Sequence, residues 1–234
     1  MLNVATKFVP DVSFFDQAFH AGFHCGEFWL NEEWLLKVEA IIERAKYYPM
    51  KYVAHFPNKA VSSKGIECAV KLYRELGCRA MVIHEPMFRR HGEEILKLEP
   101  GLRLGVENHR LSPKEFEQWA EHYPGLTWDV EHFWKFTHED CSLKDLLKYA
   151  RTFLEKHVDK LRHVHLPGYV RGEEEHRPMY CNRDFVLAMF ELFEEFRYDG
   201  LIVSEVDNEY QNPHDLRMDV LLFERWRLGK TAQM

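Results

Sequence analysis

Short apolar runs alternate with longer amphipathic segments along the whole chain. Eight runs have the length and composition of buried strands: NVATKFV, FHCGEFWL, KYVAHF, AMVIHE, RLGVEN, LTWDVE, LRHVHL and LIVSEV. The segments between them carry apolar residues three and four positions apart, which is the period of a helix with one buried face. In NEEWLLKVEAIIERAKYY, for example, Trp34, Val38, Ile41 and Ala45 share one face. Strands that alternate with helices predict a parallel sheet.

Capping signals support several of the predicted helices. Ser112 is followed by Pro113 at the first helical position and by Glu115, a combination that forms a capping box. Ser142 is the expected N-cap of the helix that begins at SLKDLL. The weakest predicted helix is MFRRHGEEILKLE, because it is short and Gly92 interrupts it.

Eight strand–helix units predict a (β/α)8 TIM barrel, an α/β fold whose parallel sheet closes on itself. Residues 1–234 are expected to form a single domain, since no Pro-, Gly- or Ser-rich linker divides the chain. A doubly wound open sheet is the alternative fold. It would normally have fewer strands and a glycine-rich phosphate turn, and neither GxGxxG nor GxxxxGKS/T occurs in the sequence.

The composition of the chain argues against nucleic acid and membranes as binding partners. The chain is 46% apolar and 14% aromatic, which is enough for a sizeable core, and its net charge of −7 argues against a nucleic-acid binder. Five cysteines without a CxxC pair indicate reduced thiols. The segment MLNVATKFVP lacks a signal-peptide pattern, and no apolar run reaches membrane-spanning length. We therefore expect a cytoplasmic protein with no membrane partner.

Most predicted strands carry an ionisable residue at or near their C-terminal end. Catalytic side chains of TIM barrels lie at that end, so residues distant in sequence meet around the barrel axis. Histidine nitrogens and carboxylate oxygens together suit zinc, manganese and related divalent ions. The ordered set therefore predicts a metal site. Its members are Lys7, Glu27, His55, His84, Glu107, Asp129, His165 and Glu205.

Single members of this set carry less weight than the set as a whole. A lone histidine at a strand end, such as His84, is more often a hydrogen-bonded structural residue, and Lys7 could lie at the edge of the core. Glu27 could brace a neighbouring loop. Glu107 and Glu205 are different, because each follows an apolar strand where an unpaired carboxylate would be costly.

Several further histidines are expected at the surface or in local hydrogen bonds. The run EEEH at 173–176 is by default a solvated loop, and His176 alone indicates no function. The expected surface histidines are His20, His24, His91, His109, His122, His138, His157 and His214.

Eight segments, in this order, resemble the xylose isomerase-like barrel superfamily: GFHCGEFWL, YVAHFP, MVIHEP, GVENH, TWDVEH, HVHLPG, EEEHRP and IVSEV. That superfamily contains sugar and sugar-phosphate isomerases and epimerases, and also endonuclease IV. In the epimerase branch one metal is held by Glu, Asp, His and Glu, which match Glu107, Asp129, His165 and Glu205. The histidine three positions after the aspartate, here His132, contacts the substrate in those enzymes.

In the endonuclease IV branch nine residues bind three zinc ions. This chain departs from that pattern, because Glu174 replaces an aspartate, HVHLPG lacks the polar pair after the histidine, and HRPMYCNRDF lacks paired glycines. The net charge is also wrong for gripping phosphates. One ion is therefore expected, and up to three are possible. By motif the nine positions are His55, His84, Glu107, Asp129, His132, His165, Glu174, His176 and Glu205.

The resemblance implies a divalent-metal-dependent isomerase or epimerase that acts on a carbohydrate: a sugar, a sugar phosphate or a related hydroxy-carbonyl compound. Proton transfer would pass through an enediolate stabilised by Mn²⁺ or Zn²⁺, with Glu107 and Glu205 as the catalytic acid–base pair. His132, His176 and Arg177 would orient hydroxyls or a phosphate. The alternatives are an endonuclease IV-like phosphodiesterase and a non-catalytic sugar-binding barrel.

Overall fold

Eight parallel strands form a closed barrel in the computed structural model, which describes residues 2–231. The strands pair in chain order, and β8 pairs with β1 to complete the ring. The predicted TIM barrel is confirmed, each apolar run contains a strand, and the open sheet is wrong. The strands are β1 (Asn3–Phe8), β2 (Cys25–Trp29), β3 (Lys51–His55), β4 (Met81–His84), β5 (Leu104–Glu107), β6 (Leu126–Asp129), β7 (Leu161–His165) and β8 (Leu201–Ser204).

Helices separate successive strands. Within residues 2–231, no helix is both long enough and apolar enough to cross a membrane. A π-helical turn, Phe133–Thr137, directly follows α7. The helices are α1 (Val12–Ala21), α2 (Glu32–Leu35), α3 (Val38–Ala45), α4 (Ser63–Leu76), α5 (Glu85–Leu98), α6 (Pro113–His122), α7 (Val130–His132), α8 (Leu143–His157), α9 (Arg183–Glu195) and α10 (Pro213–Thr231).

The predicted helix caps are present. Ser112 Oγ accepts a hydrogen bond from the Glu115 backbone N–H at 3.4 Å, and Glu115 Oε2 accepts one from the Ser112 N–H at 2.9 Å. Ser142 Oγ accepts one from the Asp145 N–H at 3.2 Å at the start of α8. These bonds satisfy donors that the first helical turn leaves unpaired, so the sequence signals fix where α6 and α8 begin.

Two predicted helices differ from the expectation. The segment after Gly92 is not interrupted, because α5 runs unbroken from 85 to 98 and the Phe88 ring packs where a Cβ at Gly92 would lie. In contrast, the segment predicted as one helix from Asn31 breaks into α2 and α3 at Lys37, whose ψ of 22° leaves the helical region. Glu32 Oε1 accepts a hydrogen bond from the Ser62 N–H at 3.0 Å, which ties α2 to the loop before α4.

The barrel interior is apolar towards one end and polar towards the other. Since side chains two positions apart on a strand share a face, residues two positions beyond the apolar layer also point inwards. The apolar layer is Ala5, Cys25, Val53, Ala80, Val82, Leu201 and Val203. The polar positions that follow on the same strands are Lys7, Glu27, His55, His84 and Glu205.

Candidate metal centre

Four side chains from consecutive strands converge at the C-terminal end of the barrel. Glu107, Asp129 and His165 are the last residues of β5, β6 and β7, and Glu205 directly follows β8. Register places Asp129 beside His165 on neighbouring strands. One candidate ligand atom from each of the four lies within 4.8 Å of all the others. We call these four residues the central group.

His165 Nδ1 is at the middle of the central group. Glu107 Oε1 lies 2.9 Å from this nitrogen, Glu205 Oε2 lies 2.7 Å from it, and Asp129 Oδ2 lies 4.0 Å from it. His165 is fully buried, and Glu107 and Asp129 are nearly so. Three carboxylates therefore surround one imidazole nitrogen away from water, an arrangement that needs a compensating positive charge.

The hydrogen bonding of the central group supports a bound cation. Among residues 2–231, its buried oxygens without a hydrogen-bond partner include Glu107 Oε2, Asp129 Oδ2 and Glu205 Oε2. Buried carboxylate oxygens are normally hydrogen-bonded or bound to a metal. One His and three carboxylates also form a donor set that suits Mn²⁺ or Zn²⁺. The four residues therefore fit a divalent ion.

The charges of the central group are strongly coupled. Burial raises the pKa of Glu107, but the positive charges of His165 and His84 outweigh it and hold that pKa well below its usual value. Lys7 and His165 do the same for the pKa of Glu205. The pKa of Asp129, in contrast, is raised by burial despite the nearby charge of His132. Glu107 and Glu205 are therefore carboxylates at neutral pH.

The segment TWDVEH turns sharply after β6. Asp129 caps the short helix α7, because its Oδ1 accepts from the His132 backbone N–H at 2.7 Å. Its other oxygen, Oδ2, faces the central group and lies 3.3 Å from His132 Nδ1. Burial would lower the pKa of His132, but Asp129 and Glu175 raise it to about 10. Asp129 thus uses one oxygen for the backbone and one for the site.

Two further groups with metal-ligand geometry flank the central group. His55, His84 and Glu107 form one, in which His84 Nε2 lies 3.0 Å and His55 Nε2 lies 3.5 Å from Glu107 Oε2. His132, Glu175 and His176 form the other. Glu107 belongs both to the first of these and to the central group, so neighbouring ions could share it.

The assignment of Glu174 to the site is wrong by one residue. Glu174 is exposed, whereas the half-buried Glu175 lies against His132 and forms an ion pair with Lys135 at 2.9 Å. The loop turns at Gly172, where φ is 78°, and His176 adopts a left-handed backbone with φ of 59°. With this backbone Glu175 rather than Glu174 faces inwards. Because both residues belong to one acidic run, the sequence motif could not show which of them faces the site.

Arg177 is not placed to orient a substrate. Its Nη2 donates to Glu173 at 3.0 Å on the outer side of the loop, and it lies outside the pocket lining. His132 and His176, which were also predicted to contact the substrate, both line the pocket. Arg110 is an arginine that does line the pocket.

Two buried residues lie beneath the site: Glu27, which belongs to the predicted strand-end set but not to the predicted ligands, and His163, which was not predicted. Glu27 does not brace a loop, because it is fully buried in the barrel and accepts hydrogen bonds from His55, His163 and His165. The signal for His163 was available, since LRHVHL alternates and His163 shares the inward face of His165. Among the expected surface histidines, His109 lies at the pocket wall with its ring 4.9 Å from that of His132, and His91 is buried.

A cavity of about 420 Å³ opens above the central group. Aromatic side chains form one wall, and Trp29 remains 48% exposed there. Carboxylates outnumber Lys and Arg in the lining, so the walls carry net negative charge without a bound ion. The lining residues used below are Lys7, Phe8, Phe14, Trp29, Asn58, Glu107, Arg110, Glu175, Glu205, Asp207 and Asn208.

Solved structures share this architecture over nearly the whole chain. A D-tagatose 3-epimerase-like protein is 17% identical with a TM-score of 0.67, and the alignment covers 99% of each chain. D-allulose 3-epimerase from Methylomonas sp., solved in complex with D-allulose, is 17% identical with a TM-score of 0.61 and 97% coverage of each chain. Endonuclease IV from Thermus thermophilus is 13% identical with a TM-score of 0.69, covering 97% of this chain and 99% of that one.

No family model matches the sequence, and no curated protein matches it. The structural neighbours are members of the xylose isomerase-like TIM barrels, so the chain has that fold and the resemblance in its sequence motifs is confirmed at the level of fold. At 13–17% identity the similarity shows only the fold, so the activity has to be argued from the residues of the site.

Proposed function

We propose that the protein is a divalent-metal-dependent isomerase or epimerase acting on a sugar, a sugar phosphate or a related hydroxy-carbonyl compound. The observation that carries this proposal is the placement of Glu107 and Glu205. Their carboxylates approach the same nitrogen, His165 Nδ1, at 2.9 Å and 2.7 Å, and both line one small cavity. Two carboxylates that face one substrate-sized space can exchange a proton with it.

Glu107, Asp129, His165 and Glu205 would hold the ion. Bound there, a divalent cation supplies Lewis-acid stabilisation for negative charge that develops on a substrate oxygen. The protein residues supply the proton transfers. One of the two glutamates, as the carboxylate, accepts the proton from the carbon beside the carbonyl, and the other takes up a proton from solvent and gives it to the opposite face or to the adjacent atom. The first glutamate then releases its proton to solvent, so that the site returns to its starting state.

Lys7 and His165 contact different oxygens of Glu205. Its Nζ donates to Glu205 Oε1 at 2.5 Å, while Oε2 faces His165. Burial would lower the pKa of Lys7, but the carboxylates of Glu205 and Glu27 raise it, so the ammonium stays charged. This contact fixes the orientation of Glu205 before substrate binds, which is a condition for efficient proton transfer.

The cavity suits a small polyhydroxylated substrate. Phe8, Phe14 and Trp29 offer an apolar wall for the C–H face of a sugar, and the amides of Asn58 and Asn208 offer hydrogen bonds. The D-allulose complex of a structural neighbour supports a monosaccharide as occupant. The free thiols of Cys25, Cys68, Cys78, Cys141 and Cys181 support a location in the cytoplasm.

An endonuclease IV-like phosphodiesterase is the second candidate, and one observation favours it. The two flanking groups and the central group together offer ligands for three ions, with Glu175 in the position expected for Glu174. Against it stands the charge of the pocket lining, where four carboxylates outnumber the positive charges of Lys7, Arg110 and His132. The carboxylates are those of Glu107, Glu175, Glu205 and Asp207. A many-phosphate ligand requires the opposite balance.

The number of metal ions bound per chain and the exchange of substrate protons with solvent distinguish the isomerase from the phosphodiesterase. We would measure bound metal per chain after reconstitution with Mn²⁺ or Zn²⁺, uptake of solvent deuterium into candidate keto-sugars, and cleavage of an abasic DNA duplex. One ion with deuterium uptake is expected. Three ions with strand cleavage would replace the isomerase by the phosphodiesterase, and sugar binding without deuterium uptake would indicate a non-catalytic barrel.

A further inference from the structure

We infer that Glu27 is a positioning residue that sets which nitrogen of His55 and which nitrogen of His165 faces the metal site. One carboxylate below the site would thereby orient ligands of two neighbouring candidate ion groups. The inference rests on the metal site of the proposed function, but not on the identity of the reaction.

Glu27 lies at the centre of a buried hydrogen-bond network. Its Oε1 is 2.9 Å from His55 Nδ1, and its Oε2 is 3.0 Å from His165 Nε2 and 2.5 Å from His163 Nε2. Glu27, His163 and His165 are fully buried and His55 is 1% exposed. The network connects β2, β3 and β7 across the barrel interior.

The two site histidines use opposite nitrogens towards Glu27. A carboxylate accepts hydrogen bonds, so an N–H at His55 Nδ1 leaves His55 Nε2 as a lone pair that faces Glu107 Oε2 at 3.5 Å. An N–H at His165 Nε2 likewise directs Nδ1 towards Glu107 and Glu205, where this nitrogen can serve as a ligand once it carries no proton. Among residues 2–231, His55 Nε2 is one of the buried nitrogens without a hydrogen-bond partner. Glu27 thus presents two ligand nitrogens at once.

Charge keeps Glu27 in the accepting form. Lys7 Nζ lies 3.6 Å from Glu27 Oε1. An ionised carboxylate can accept from several donors at once, whereas a neutral acid or an amide would have to turn a hydrogen towards one of them.

Glu27 is less suited to bind an ion directly. With His55 and His165 it also has ligand atoms within 4.8 Å of one another. However, its oxygens already make well-formed hydrogen bonds to the ring nitrogens, whereas Glu107 Oε2 and Asp129 Oδ2 have none within the described chain. Partners of this kind behind metal-binding histidines typically change metal affinity by 10- to 100-fold when removed.

The first test is the tautomer of His55 in metal-free wild-type protein and of His165 in the Zn²⁺-loaded protein, because without an ion the carboxylates around His165 Nδ1 favour a proton on that nitrogen. Long-range ¹H–¹⁵N spectra should show a proton on Nδ1 of His55 and on Nε2 of His165. In Glu27→Gln, whose amide cannot accept from both rings, at least one ring should change tautomer or lose its single form. A wild-type His55 protonated on Nε2 would overturn the inference, whether or not any variant folds.

The second test is metal affinity, measured by titration calorimetry with Zn²⁺ and by the visible spectrum of the Co²⁺-loaded protein. Glu27→Gln should bind Zn²⁺ about 10- to 100-fold more weakly and shift the Co²⁺ bands. Glu27→Asp, which keeps the charge, should recover part of the affinity. Asp219→Asn is the matched control, since Asp219 is a buried carboxylate outside the metal site, and it should leave both readouts unchanged.

Unchanged affinity and spectrum in Glu27→Gln would overturn the inference, as would an ion bound directly by Glu27. These outcomes are independent of the reaction. If the protein proves inactive on every keto-sugar, the proposed isomerase fails while the tautomers and the affinity change still decide the role of Glu27.

Discussion

Lys7 and Glu205 stand 198 positions apart in the sequence, yet Lys7 Nζ lies 2.5 Å from Glu205 Oε1 at the seam where β8 meets β1. Both side chains are largely buried, at 10% and 15% exposure. Removing one partner of a buried ion pair leaves a charge without compensation, which is more destabilising than losing an exposed pair. The pair therefore links the stability of the barrel to the charge of its site.

We predict that Lys7→Met lowers the unfolding free energy of the metal-free protein by about 3 kcal/mol. Saturating Mn²⁺ or Zn²⁺ should restore more stability in this variant than it adds to wild type, because the ion replaces the lost positive charge beside Glu205. Urea unfolding with chelator and with metal measures both effects. Lys71→Met is the control, because the Lys71–Glu39 pair is exposed and should contribute little to stability. Equal effects of the two substitutions would refute the prediction.

Glu205→Gln should lower turnover by roughly 10²- to 10⁴-fold, the range expected when a positioned acid–base group is removed. The amide keeps the size of the side chain and one oxygen, but it removes the charge and the capacity to accept a proton. Deuterium uptake into the substrate measures the effect. Glu224→Gln, at an exposed ion pair with Arg217, should behave as wild type. Deuterium exchange at the wild-type rate in Glu205→Gln would exclude Glu205 from the proton transfer.

Asp129→Ala should act mainly on metal retention, because it deletes a ligand without supplying another donor. It also removes the cap of α7, which typically contributes about 1 kcal/mol. Asp129→Asn separates the two effects, since its amide oxygen can still accept from the His132 N–H. We expect both variants to lose metal on dialysis, with only Asp129→Ala showing the additional loss of stability. Full metal content in Asp129→Ala would remove Asp129 from the ligand set.

Asp219 should make stability fall as pH rises from about 4 to about 7. Burial raises the pKa of Asp219 to about 7, although the Ser204 hydroxyl and the Tyr180 backbone N–H both donate to it. In the unfolded chain an aspartate ionises near pH 4, so between these values the folded state binds more protons. The contribution is fully present below pH 4 and lost above pH 7. Its size is on the order of 4 kcal/mol.

The difference in unfolding free energy between wild type and Asp219→Asn, measured across this pH range, isolates the effect of Asp219. We expect the wild-type curve to fall relative to the variant as pH rises. Parallel curves would show that Asp219 ionises at its ordinary pH in the folded protein.

The strands and the central group were accessible from sequence because they depend on local rules. Strand-end position is enough to find Glu107, Asp129, His165 and Glu205, and the family motif selects these four from the larger set as the expected ligands of one ion. The alternation of side chains along β7 points His163 inwards, so its omission was avoidable.

The remaining differences depend on contacts between distant segments. Whether Glu174 or Glu175 faces His132 is decided by the backbone around Gly172, one residue in a loop with no periodic pattern. The hydrogen bond that ties Glu32 in α2 to Ser62 joins residues 30 positions apart, and no local signal predicts it. Tertiary contacts of this kind override propensity, and sequence patterns do not report them.

The pairing of β8 with β1 also determines when the site comes into existence. During synthesis, the ligands on β5, β6 and β7 are made before Glu205. Lys7 is made near the start of the chain, long before its partner Glu205. Long-range pairing of this kind is slow, because loop closure precedes the contacts that stabilise it. A cation therefore meets its complete set of ligands only after β8 has joined β7, late in the chain, and Lys7 reaches Glu205 only when β8 pairs with β1. The ion can stabilise the folded barrel but cannot guide the early steps of folding.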